Sequence, residues 1–158
     1  MKMKSETQAL HLARVIQRHV QDPSYELALP LVMVPKKKLK KLSEGDLLLS
    51  GFDRLEFILI DGDTICAEMK LNQLENRYKT EIVSVRQDTI KQYDSKKYEI
   101  LKITFGSLQS KRVALGEIID IAHIDLETVK LVLKEKTIAE GSLVMVDEEI
   151  AIQIKKVN

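Results

Sequence analysis

Tryptophan is absent, cysteine occurs once, histidine three times, and only 4% of the residues are aromatic. Each shortage excludes something. With so few rings, a core has to be assembled mostly from Leu, Ile and Val. The one thiol, Cys66, has no partner for an intrachain disulfide, which fits a reducing compartment and predicts a cytoplasmic protein. His11 and His19 are joined by no cysteine or carboxylate cluster, and His123 stands alone, so the histidines do not suggest a metal site. Charge of one sign is also missing: Lys+Arg 25 against Asp+Glu 24 leaves +1, which gives no general attraction to nucleic acid or to an anionic membrane. The longest apolar run, Leu27 to Val34, is interrupted by Pro30 and falls far short of the ~20 residues of a membrane helix. The opening MKMKSETQ offers no signal-peptide core. The chain contains no Gly-x-Ser-x-Gly elbow, phosphate-cradling Gly-rich loop or His-Glu-x-x-His. No catalytic, cofactor-binding or metal-binding residue is therefore assigned, and an enzyme is not expected.

What is present is a globular profile, 44% hydrophobic and 31% charged, over 158 residues. The clearest pattern lies at the end. Val129, Leu131 and Leu133 alternate with Lys130 and Lys134, and Ile150, Ile152 and Ile154 alternate with Gln153 and Lys155. This is the two-residue period of half-buried strands. Between them Thr137 to Val146 carries Gly141, where a strand glycine marks a bulge or bend. Charged breaks at Lys134 to Lys136 and Asp147 to Glu149 are short enough for hairpin turns, which predicts a three-stranded meander.

An approximate copy lies earlier. Tyr98-Glu99 follows Tyr25-Glu26 by 73 positions, and Leu115, Glu117 and Thr137-Ile138 follow Leu42, Glu44 and Thr64-Ile65 by the same interval. Leu55, Phe57 and Leu59 answer Val129, Leu131 and Leu133 with a shift of one, attributed to a longer turn at Asp61-Gly62-Asp63. The expected division is an N-terminal helix (1–24), a first unit (25–85), a polar linker (86–97) and a second unit (98–158). Units of about 60 residues are marginal alone, so the two are expected to share a core.

Ser5 and Gln8 form a capping-box pattern, and Leu12, Ile16 and Val20 follow at helical spacing until Asp22-Pro23. Such a helix packs on the body or docks a partner. Tyr25 to Val34 reads as a strand broken by Pro30. Five lysines then fill positions 36–41 around Leu39. No aromatic is interleaved to stack on bases, and Glu44 and Asp46 follow, so a solvated loop or helix face is preferred over a phosphate site. The alternative is a nucleic-acid-binding β-barrel using Lys36 to Lys41. Arg86 to Lys97 has linker composition but could also lengthen a strand. Gly106 is expected to end the strand begun at Glu99, and Leu115, Ile118 and Ile119 predict a short helix over Val113 to Ile121.

The second copy resembles the SpoA domain of the FliN and FliM proteins of the flagellar motor switch and their type III secretion counterparts. The pattern is a strand ending in Gly (Ile100 to Gly106), a short helix carrying Leu115, then VKLVLKEKTIAEGSLVMVDEEIAIQIKKV with its Ile138-Ala139-x-Gly141. The first copy is similar through LPLVMV, Leu39, Leu42, Gly45-Asp46 and LEFILIDGDTICAEMKL, with Glu68 at the place of Gly141 and Met33 at that of Gly106. The resemblance implies a mainly β fold in which two tandem SpoA units exchange strands as an intramolecular pseudo-dimer. It also implies a non-enzymatic subunit of the flagellar C-ring or of a type III secretion sorting platform, cytoplasmic and held at the inner membrane by its partners. Those partners would be other switch proteins, in a large ring, and the FliH-like export-ATPase regulator. In this family the apolar run after the glycine receives a short partner peptide; the matching positions are Leu143, Val144 and Met145.

Overall fold

The computed structural model describes residues 23–74, 77–90, 96–110, 113–121 and 127–158. The helix expected in the first 22 residues and all three histidines lie outside them. The described chain is mainly β: β1(Ser24–Ala28), β2(Val32–Pro35), α1(Lys36–Lys40), β3(Leu47–Leu49), β4(Glu56–Asp61), β5(Thr64–Leu74), β6(Arg77–Thr89), β7(Tyr98–Gln109), β8(Ile118–Asp120), β9(Val129–Leu133), β10(Lys136–Val146) and β11(Glu149–Val157). Pro30, which has no N–H for a ladder, divides the first strand, and both pieces pair antiparallel with the long β7.

The strands run in the order β3-β11-β10-β9-β7-β1-β4-β5-β6-β8, with β2 also on β7. If β1 with β2 is matched to β7, and β3, β4, β5 and β6 to β8, β9, β10 and β11, this order reads the same from either end. The end strands are exchanged. β3 of the first half lies on β11 of the second, and β8 of the second lies on β6 of the first.

Matching hydrogen bonds close both exchanges. Gly45 N–H donates to the Ile154 carbonyl (2.7 Å), and Ile154 N–H to that of Asp46 (2.8 Å). At the other end Gly116 N–H donates to the Ile82 carbonyl and Ile82 N–H to that of Glu117, each at 2.9 Å. Both glycines have positive φ, +88° and +84°, which lets the chain turn into the exchanged strand.

The hairpins repeat just as closely. Cys66 is the bulged residue between the pairs Leu59↔Ala67 and Ile60↔Ile65, and Ile138 is bulged between Leu131↔Ala139 and Val132↔Thr137. Val83 and Lys155 are bulged in the next ladders. Each pair of bulges is 72 positions apart. The interval of 73, and the shift of one that set Leu55, Phe57 and Leu59 against Val129, Leu131 and Leu133, therefore do not hold: the interval is 72 through the hairpins, matching Phe57 and Leu59 to Val129 and Leu131, and 71 at the two glycines. The β4–β5 turn is no longer than its copy, since Asp61↔Thr64 and Leu133↔Lys136 each enclose two residues. Met69, not Glu68, takes the place of Gly141.

Three further expectations are corrected. Val113 to Ile121 forms no helix: Gly116 turns the chain and Ile118–Asp120 joins β6 as a strand. Tertiary pairing overrides the helical spacing there. Gly106 does not end its strand, because with φ +118° it lies in a register shift and β7 continues to Gln109. Residues 86–89 belong to β6 and not to a linker.

One core serves both halves. Leu27, Leu29, Phe57, Leu59, Met69 and Ile82 join Leu101, Ile103, Phe105, Leu131, Ile152 and Ile154 in a single buried cluster. Phe57 meets Phe105 edge to face, with ring centroids 5.3 Å apart. A smaller group, Ala28, Ile58 and Ile60, lies apart from it with Leu31, Ile65 and Ile90.

Two hairpins are closed by residues poorly suited to their geometry. Lys134-Glu135 and Asp147-Glu148 both have φ of 48° and 67°, the doubly positive pattern that favours Asn-Gly. Replacing either pair by Asn-Gly is expected to raise stability by about 1 kcal/mol, read from the urea midpoint at unchanged slope.

Candidate docking surface

Along β10 the side chains alternate. Ala139 and Gly141 are buried, and Leu143, on the same side, packs partly against the core. Met145 continues that side past the edge of the core and is 62% exposed. Val144 points the other way. The three positions singled out from the sequence are thus not one patch: Leu143 is a core-flanking residue, Met145 an exposed end, and Val144 belongs to the outer face.

Val144 has neighbours there. It pairs with Ala151, which pairs with Leu49, and the adjacent row runs Ser142, Gln153, Leu47. Leu48 and Ile152 point into the core, so Leu47 and Leu49 point outward, 46% and 45% exposed. The outer face at this end of the sheet is therefore an aliphatic strip of Leu47, Leu49 and half-buried Val144, closed over the fully buried Ala151. Sequence reasoning missed the two leucines. The three-leucine run hid them, because only the exchanged pairing of β3 with β11 decides which of Leu47, Leu48 and Leu49 faces the core.

The matched face at the other end differs in chemistry. There Lys70 pairs with Glu81, which pairs with Ile118, and Lys79 pairs with Asp120. Repetition of the fold has not produced repetition of the surface, and only one end carries an aliphatic strip. β3 is short and lies at the end of the sheet order, so the strip reaches the sheet's edge.

The lone thiol lies in the first half, away from this face in the strand order. Burial pushes the Cys66 thiol up and the Asp61 charge adds to the shift; Tyr25 is raised by burial first, then by Cys66 and Asp61. A thiol held protonated is a poor nucleophile, which fits a packing role for Cys66. Among the described residues no group of three or more His, Cys, Asp or Glu could hold a metal ion. No helix among them is long and apolar enough to cross a membrane.

Compared with known proteins, the chain matches no family model, and no curated protein matches it either.

Proposed function

We propose that the protein is a non-enzymatic assembly subunit of the flagellar motor switch or of a type III secretion sorting platform, built from two tandem SpoA-like units. The observation that carries this reading is the exchange of β3 and β8 between the halves, closed at both ends by matching glycine and isoleucine hydrogen bonds. Strand exchange within a two-unit saddle is what the sequence resemblance implies. A shared core also supports it, since each unit is completed by the other and the pair forms a rigid block suited to a ring.

In this reading the outer strip of Leu47, Leu49 and Val144 receives an apolar segment of the export-ATPase regulator or of a neighbouring SpoA protein, and Met145, exposed at the end of the opposite side of β10, extends the contact around the strand end. Flexible Met and aliphatic side chains suit such a surface. The test is titration with the purified regulator from the same host. Val144→Asp and Met145→Asp are expected to weaken binding at least tenfold while thermal stability moves little, because both sites reach solvent. Affinity should depend weakly on salt. A steep fall with salt, or equal binding by the variants, would contradict the assignment.

A further inference from the structure

A second feature of this end of the molecule lies where α1 crosses the last hairpins. Lys36, Leu39, Lys40 and Leu42 face Leu133, Ile138 and Val157 across an open cleft of ≈ 370 Å³. The volume lies in the range of ligand pockets and would hold a few aliphatic side chains. Its floor is aliphatic and its rim is basic. Glu99, the acidic residue at the cleft, is already matched by Lys36 at 3.5 Å and Lys134 at 3.8 Å. Lys37, Lys38, Lys40 and Lys41 have no ion pair with the described residues, and Lys136 opens β10 opposite Leu133.

The matched place in the first half is different again. Asp61, Cys66 and Val85 stand at the positions of Leu133, Ile138 and Val157, so a carboxylate interrupts the apolar floor. The unbroken aliphatic floor is therefore a property of one half only.

We propose that this cleft binds an acidic peptide that inserts Leu, Ile or Val side chains between α1 and the β9–β10 hairpin while Asp and Glu residues meet the lysine rim. Charge complementarity selects this occupant. Nucleic acid fits poorly, since the floor offers no ring for a base to stack on. The chain's own first 22 residues carry Lys2, Lys4, Arg14 and Arg18 against Glu6 and Asp22, the same sign as the rim. The proposal stands on the cleft itself and does not depend on the scaffold reading.

The test selects phage-displayed random dodecapeptides on the whole protein and then measures fluorescently labelled winners by anisotropy. Winners should combine aliphatic with acidic residues. They should bind Lys36→Glu/Lys40→Glu at least tenfold more weakly and Lys40→Ala measurably more weakly, both variants keeping the parent circular dichroism. Binding should shift the methyl resonances of Leu39, Leu133, Ile138 and Val157, and Val144→Asp should leave it unchanged. Failure to enrich any peptide, winners with no acidic bias, or full binding by the folded lysine variants would overturn the proposal. So would tighter binding of a labelled single-stranded DNA dodecamer at the same lysines, or a dimer of the protein alone that those variants dissolve.

Discussion

Gly141→Ala is expected to destabilise the protein by about 3 kcal/mol or more, lowering the melting temperature by roughly 6–12 °C. The reason is a collision, not backbone strain. A Cβ at Gly141 would lie 2.3 Å from the Gln153 carbonyl oxygen and 2.9 Å from Ile152 Cγ2. The oxygen is main chain in the paired strand and cannot rotate away, so the β10–β11 ladder would have to open beside its bulge. Gly62→Ala is the informative control. Gly62 has φ +62° but nothing within 4 Å of a Cβ, so its cost is conformational only, about 1 kcal/mol. If thermal melts showed equal losses for the two, close approach at Gly141 would not be the cause.

Phe57→Ala should cost about 3–5 kcal/mol, the usual range for deleting a buried ring. Phe57 is fully buried and belongs to the first half, whereas its ring partner Phe105 belongs to the second. Because the cluster is continuous across both halves, the loss should appear as one urea transition moved to a lower midpoint. Two separate transitions, with only the first displaced, would mean that the halves hold independent cores.

The strand content was legible wherever a strand has one wet face. Val129 to Leu133 and Ile150 to Ile154 alternate because β9 and β11 bury one side, and both lie where the alternation places them. Pro30 marked the division of the first strand for the same kind of local reason. Val113 to Ile121 was misread because Leu115, Ile118 and Ile119 match a helical period while their conformation is set by β6, a partner distant in sequence. Bulges were equally invisible. Cys66 and Ile138 look like ordinary strand residues; because both copies are bulged at the matching place the interval stays 72, and the identity of Thr64-Ile65 with Thr137-Ile138 that gave 73 is one position out of register.

The docking face was half legible. The apolar run at Leu143, Val144 and Met145 is plain in the sequence, but alternation alone cannot say which member reaches a partner. That depends on which strand lies alongside. Leu47 and Leu49 come to Val144 only through the exchange of β3, a contact that spans about 100 positions of the chain and leaves no local trace. The charged counterpart at Lys70, Lys79, Glu81 and Asp120 likewise acquires meaning only when the two ends of the sheet are compared.

The most direct test of the proposed role is affinity purification of the tagged protein from its own host, alongside Val144→Asp, with bound proteins identified by mass spectrometry. The assembly reading predicts recovery of switch-ring or export-ATPase regulatory proteins by the parent and their loss from the variant, and the identity of those proteins would tell flagellum from injectisome. Recovery of nucleic acid or ribosomal material instead, released by moderate salt and unaffected by the variant, would contradict it and turn attention to Lys36 to Lys41.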